Sequence, residues 1–166
     1  MSKTNIILNN TQIQQKTLRI AYQIYENNSK EEAIVLAGIA NNGYLFAERL
    51  AKELKRISPL KVLLCKVTLD KKNVLSAVET SLNSDVYSGK SLVLVDDVLN
   101  SGATLIYAIK HFLEVPLKRF KTAVLVNRNH KKYPVKADFK GISLSTSIQE
   151  QVVLEITAKK ATAYLM

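Results

Sequence analysis

At 166 residues, 47% hydrophobic and 23% charged, the chain has room for one domain with a substantial core, and its composition excludes a disordered or low-complexity protein. A net charge of +10 favours polyanionic partners such as nucleic acid, nucleotides and phosphate esters. There is no apolar run near the roughly 20 residues of a membrane span, no apolar centre of a signal peptide in MSKTNIILNN, and only one cysteine, Cys65, so membrane insertion, secretion and a disulfide framework are all disfavoured and a reducing cytoplasm is expected.

Thr11 to Asn27 predicts an amphipathic helix with Ile13, Thr17, Ile20, Ala21 and Ile24 on one stripe, and Asn9 or Asn10 as its cap. AIVLAGI, 33–39, is a continuous apolar run, as in a strand covered on both faces. Asn41-Asn42-Gly43 breaks it, and a second helix runs to about Arg56 with Ala47, Leu50, Ala51 and Leu54 inward. Pro59 marks its exit. KVLLCKVTL, 61–69, is the next strand, and Cys65 within it reads as a small buried hydrophobe. Residues 70–90 have weak periodicity and read as a long loop with room for a short hairpin. SLVLV, 91–95, is a third buried strand, followed by a turn and a helix carrying Leu105, Ile106, Ile109, Phe112 and Leu113. TAVLVN, 122–127, is a fourth strand; FKGISLS, 139–145, and VVLEIT, 152–157, are further short ones. Buried strands alternating with amphipathic helices predict a single α/β domain, Rossmann-like, with a parallel sheet flanked by helices.

The third strand runs straight into two carboxylates, Asp96 and Asp97, then Asn100-Ser101-Gly102-Ala103-Thr104. Ligands of such sheets bind outside the carboxyl ends of the strands. Adjacent acids there can accept hydrogen bonds from the vicinal hydroxyls of a sugar or hold a divalent cation. Gly102 allows close backbone approach, and the turn with the following helix start makes an anion site, to which Ser101 and Thr104 add hydroxyls. Together these describe a ribose 5-phosphate site. Three other readings compete: the metal-binding strand of a phosphate-loop nucleotidase, a two-component receiver domain, and plain turn chemistry. SDVYSGKS, 84–91, ends like a phosphate loop, but Ser84 replaces its first glycine and the segment leads into a strand rather than a helix.

VLVDDVLNSGATL resembles the phosphoribosyl pyrophosphate motif of type I phosphoribosyltransferases, with Ser101 where threonine is usual. ILNNTQIQQKTLRIAYQIYEN, IVLAGIANNGYLFAERLAKEL and AVLVNRNHKKYPVKADFKGISLSTSIQEQVVLEI are similar to successive segments of one subfamily, the bifunctional pyrimidine-operon regulators with uracil phosphoribosyltransferase activity. The resemblance implies that fold with a small hood, at about 70–90 and 139–166. It implies binding of phosphoribosyl pyrophosphate, carrying Mg2+, or of a nucleoside monophosphate. It also implies a homodimer or higher oligomer. Asp96 and Asp97 would hold the ribose hydroxyls, and Asn100, Ser101, Gly102, Ala103 and Thr104 the 5-phosphate. Ala40, Asn41, Asn42 and Gly43 would face the pyrophosphate, and Asn127 and Arg128 the base. Asp97, Lys71 and Lys72 are the expected catalytic groups, and no residue is expected to ligate the metal directly.

Against the subfamily pattern, this chain reads A-N-N-G for K-T-R-G in the pyrophosphate loop, Asp70-Lys71-Lys72-Asn73 for Y-R-D-D in the hood loop, Asn127-Arg128 for D-R, and Ala103 where arginine is frequent. The cations of the leaving-group region are thinned, so weak transferase activity or a binding-only relative is an alternative. The other alternative is a nucleotide-responsive RNA-binding regulator. Residues 110–140 hold nine Lys/Arg against two acids, and the resemblance places part of an RNA surface at Arg128, His130, Lys131, Lys132 and Lys136.

Overall fold

A computed structural model describes residues 5–128, 130–145, 147, 150–157 and 159–166. The elements follow in chain order as β1 (Asn5–Leu8), α1 (Asn10–Asn27), β2 (Ala33–Ile39), α2 (Asn42–Ile57), β3 (Lys61–Thr68), β4 (Glu79–Thr80), α3 (Ser84–Tyr87), β5 (Ser91–Leu99), α4 (Ala103–Phe112), β6 (Arg119–Arg128), β7 (Phe139–Leu144), β8 (Val152–Ile156) and β9 (Ala161–Leu165).

Local chemistry accounts for the main boundaries. Asn9 caps α1 reciprocally: its side chain accepts the Gln12 N–H at 2.9 Å, and the Gln12 side chain accepts the Asn9 N–H at 2.9 Å. Helix α2 ends at Ile57, two residues before Pro59, and the Ser58 N–H closes on Leu54 O. The apolar run of β2 is buried on both faces, from Ile34 to Ile39.

Six strands form the large sheet in the order β4-β3-β2-β5-β6-β7. All neighbouring pairs are parallel except β3–β4. Helices α1 and α2 cover one face, where Ile13, Ile20, Phe46, Leu50 and Leu54 meet Val93 and Val95. Helix α4 and Tyr87 of α3 cover the other, where Leu105 and Phe112 meet Leu92 and Leu94. Each such aliphatic or aromatic side chain contributes about 1.5–3 kcal/mol by leaving water. Cys65 is fully buried, and burial pushes its thiol up, which fits an inert core residue.

Several expectations need revision. Strand β5 runs to Leu99, four residues beyond SLVLV, because β6 alongside it offers ladder partners as far as Leu99↔Asn127. Residues 70–90 are more than a loop: β4 pairs antiparallel with β3, and α3 buries Tyr87. The strand at 139–144 joins the large sheet beside β6. A second, antiparallel sheet, β1-β9-β8, takes strands from both ends of the chain; β1 and β9 have no counterpart in the sequence reading. Among the described residues, no helix is long and apolar enough to cross a membrane.

Strand β2 has β3 on one side and β5 on the other, although β3 follows it in sequence. The chain changes direction there, and a crevice opens beyond the carboxyl ends of β2 and β5.

Candidate functional site

Two loops meet in that crevice. The first, Ala40 to Gly43, leaves β2 and opens α2; its Ala40–Asn41 peptide is cis. The second, Asn100 to Gly102, leaves β5 and opens α4. Asp96, Asp97, Asn100, Ser101, Gly102, Ala103 and Thr104 line one cavity of about 190 Å³ with Lys71 and Val152. Ala40, Asn41, Asn42, Leu69, Lys71 and Asp97 line an adjoining one of about 400 Å³. Asp97 and Lys71 belong to both. The expected ribose-phosphate and pyrophosphate groups are therefore neighbours, joined by one acid and one cation.

The two carboxylates are not equivalent. Asp96 is 5% exposed and its Oδ1 accepts the Asp97 N–H at 2.9 Å. Burial raises its pKa well above the usual carboxylate range; the neighbouring Asp97 charge adds to this, and Lys71 opposes it. Asp97 is half-buried and faces both cavities. Gly43 makes room for the pair, because a Cβ there would lie 2.9 Å from Asp96 Oδ1 and 2.9 Å from Val95 O.

The loop between β5 and α4 is shaped by its backbone. Gly102 has φ +88°, a left-handed conformation, and no side chain caps α4. The Ala103 N–H donates to Ser101 Oγ at 3.2 Å, while the opening turn of α4 lines the cavity. This is the geometry in which a helix start accepts an anion. The loop is held from outside: Ser101 O accepts the N–H groups of Lys132 at 2.8 Å and Tyr133 at 3.1 Å. The expected phosphate residues thus come together, and the segment that braces them carries part of the basic strip.

Asn42 lines the second cavity, and its side chain is held by two acceptors. Its Nδ2 donates to Leu154 O of β8 at 3.0 Å and, at 3.4 Å, to Asp97 Oδ2. Lys71 faces the site, but Lys72 lines neither cavity; its N–H donates to Asp70 Oδ1 at 2.9 Å.

Asn127, Arg128 and Lys131 lie around a third cleft of about 470 Å³ with Ser143, Leu144 and Ser145. Arg128, expected at the base and on an RNA surface, is 8% exposed. One arm, Nη1, donates to Asn100 Oδ1 at 2.9 Å; the other, Nη2, donates to Glu150 O at 2.6 Å and Ser147 O at 3.3 Å. A guanidinium so engaged ties the loop after β5 to the backbone before β8. Its planar fork suits that bracing task. Lys131, Lys132 and Lys136 are exposed and His130 is half-buried. Lys136 Nζ lies 3.5 Å from Asp138 Oδ1.

Val152, the Leu154 carbonyl and the inward role of Arg128 were not legible in the sequence. Backbone carbonyls leave no residue signature, and β8 reaches the site only through the second sheet.

A parallel sheet with a crevice at its switch point, two acids on a strand end and an anion-ready helix start define a sugar-phosphate-binding α/β domain. Residues 3–156 match the phosphoribosyl transferase domain, and the chain belongs to that family. It is 35% identical over 160 residues, 93% of this chain and 91% of the relative, to the bifunctional protein PyrR of Streptococcus pneumoniae. The fold is shared with the hypoxanthine-guanine phosphoribosyltransferase of Bacillus anthracis with HEPES in its active site, at TM-score 0.75 and 20% identity over 98% of each chain. It is likewise shared with the hypoxanthine phosphoribosyltransferase of Trypanosoma cruzi, at TM-score 0.77 and 16% identity over 96% of this chain and 95% of that one.

Proposed function

We propose that this cleft binds phosphoribosyl pyrophosphate, carrying Mg2+ as part of the substrate, and transfers the phosphoribosyl group to uracil; a nucleoside monophosphate is the product and a second ligand. The observation that carries the reading is the shared cavity of Asp96, Asp97 and the α4 start. The acids take the ribose diol, and the helix start takes the 5-phosphate. Uracil N1 attacks the anomeric carbon, the bond to pyrophosphate breaks with its electron pair leaving on oxygen, and the N1 proton passes to water. Charge then gathers on the leaving group, beside Lys71.

Asn41 and Asn42 are neutral, so among the described residues Lys71 is the one cation lining the pyrophosphate side. Turnover is therefore expected to be slow and to depend on it. With labelled uracil, phosphoribosyl pyrophosphate and Mg2+, the protein is expected to form uridine monophosphate. Lys71→Ala is expected to lower the rate by about 100-fold, in line with loss of one preorganised stabiliser, while uridine monophosphate binding holds within a few fold. No product from a folded protein that binds the nucleotide would leave a binding-only role in place of transfer.

A second activity is supported by the exposed cations Lys131, Lys132 and Lys136 on the segment that braces Ser101. We propose that this strip contacts RNA phosphates. Three such contacts on a single strand predict a loss of roughly 20-fold in affinity between 50 and 200 mM salt. Gel shifts check this: Lys131→Ala with Lys132→Ala should flatten the salt dependence. Binding indifferent to salt would refute the strip.

A further inference from the structure

A groove far larger than either half of the cleft lies between α1 and α2, at about 760 Å³. This is within the size range of small-molecule sites. Its α2 wall carries Arg49, Lys52, Glu53 and Arg56; Lys159, from the turn between β8 and β9, closes one end. The α1 wall, from Thr11 to Leu18, presents only neutral side chains, among them Gln14 and Gln15.

The charges do not balance within the protein. Four cations face one carboxylate, and that carboxylate is occupied: Glu53 Oε2 accepts Arg56 Nη2 at 2.6 Å and Nε at 3.2 Å. Arg49, Lys52 and Arg56 fall at spacings of three and four along α2, where like charges repel. A cationic stripe would be offset by acids on the facing helix; here none faces it. Arg49 is partly desolvated, and burial lowers its pKa. Its Nη2 donates to Thr157 O at 2.6 Å, but its Nε is buried with no acceptor among the described residues. A buried donor of that kind is costly and calls for an explanation.

We propose that this groove binds a compact polyphosphate anion, of the kind carried by a nucleoside triphosphate, with Lys52, Lys159 and Arg49 taking the phosphates and the Gln14 and Gln15 amides serving as neutral donors. The polyphosphate supplies the negative charge that the α1 wall lacks. Helix α2 begins in the pyrophosphate-facing loop, and its later turns line the groove. Arg49 also holds the end of β8, the strand whose Leu154 carbonyl engages Asn42. The two sites therefore share a helix and a strand.

Inorganic tripolyphosphate is the probe, titrated into the full-length 15N-labelled protein and followed by amide chemical shifts. Saturable one-to-one shifts at Gln14, Gln15, Lys52 and Lys159 are expected, separate from any at Gly102 to Thr104. Lys52→Ala with Lys159→Ala, both at exposed positions, should weaken the groove shifts at least tenfold and leave the Gly102–Thr104 shifts in place. The proposal is overturned by shifts confined to the phosphate loop, by non-saturating shifts, or by an unchanged affinity in the double variant. It is also overturned if the groove amides respond to an RNA oligomer or to protein concentration but not to tripolyphosphate. Because the two sites are read at different amides, failure here is distinct from failure of the transferase reading.

Discussion

Asp96→Asn combined with Asp97→Asn is expected to abolish binding of uridine monophosphate and phosphoribosyl pyrophosphate while making the protein more stable near neutral pH. The binding loss follows from charge. A carboxylate accepting a hydroxyl proton contributes about 1.5–3 kcal/mol, so two such losses weaken binding at least 100-fold. Isothermal titration calorimetry measures it, and unchanged affinity would remove the central assignment. The stability gain follows from Asp96. Burial and the Asp97 charge raise its folded pKa well above the ordinary value, so the folded protein holds this proton more tightly than the unfolded chain. Its contribution to stability falls as pH rises from the ordinary carboxylate range through the raised value. Above that window the charge opposes folding, as is common where a site is built at the expense of stability. Asparagine has no charge to desolvate, so Tm should rise by roughly 2–4 °C for each kcal/mol relieved. Asp96→Asn alone should remove this part of the pH dependence. A lower Tm at neutral pH, with the pH dependence intact, would place the stabilising balance elsewhere.

Gly102→Ala is expected to be the most damaging single-methyl change in the site. Two separate costs meet there. At φ +88° an L side chain is strained by about 1–2 kcal/mol. The added Cβ would also lie 2.5 Å from Val135 Cγ2, and forcing such a contact costs about 1–3 kcal/mol. The sum lowers Tm by roughly 4–20 °C. It also shifts the α4 start away from the 5-phosphate, so nucleotide affinity falls too. Gly89 is a natural control. Its φ is +75°, and nothing lies within 4 Å of an added Cβ, so Gly89→Ala carries only the backbone strain. The difference between the two variants in thermal denaturation isolates the Val135 contact. Adding Val135→Ala to Gly102→Ala should recover part of the lost affinity. Equal effects at Gly89 and Gly102 would mean that residues 133–135 do not confine the phosphate loop.

Much of the core and of the site was legible one residue at a time. Continuous apolar runs marked β2, β5 and β6, since a strand covered on both faces leaves no polar alternation. Helical periodicity marked α1 and α2 together with their inward residues; in α4 it marked Leu105 and Phe112 but missed the buried Ala108 and included Leu113, which is exposed. The two acids followed by small residues pointed to the segment that lines one cavity of the crevice, because that pairing of residue types is unusual in a buried strand and its turn. Charge patterning also marked Lys131, Lys132 and Lys136 as a basic strip.

What only the tertiary structure decided concerns partners distant in sequence. It divided Lys71 from Lys72, turned Arg128 inward to Asn100, and engaged Asn42 with the Leu154 carbonyl. It also drew β1 into a sheet with β8 and β9, made β7 part of the large sheet, and set the neutral wall of α1 against the cations of α2. Local propensity and hydrophobic period depend on neighbours within a few residues, so sequence carries them openly. A salt link, a borrowed carbonyl or an unbalanced groove depends on which surfaces the packed core brings face to face, and no single segment encodes that.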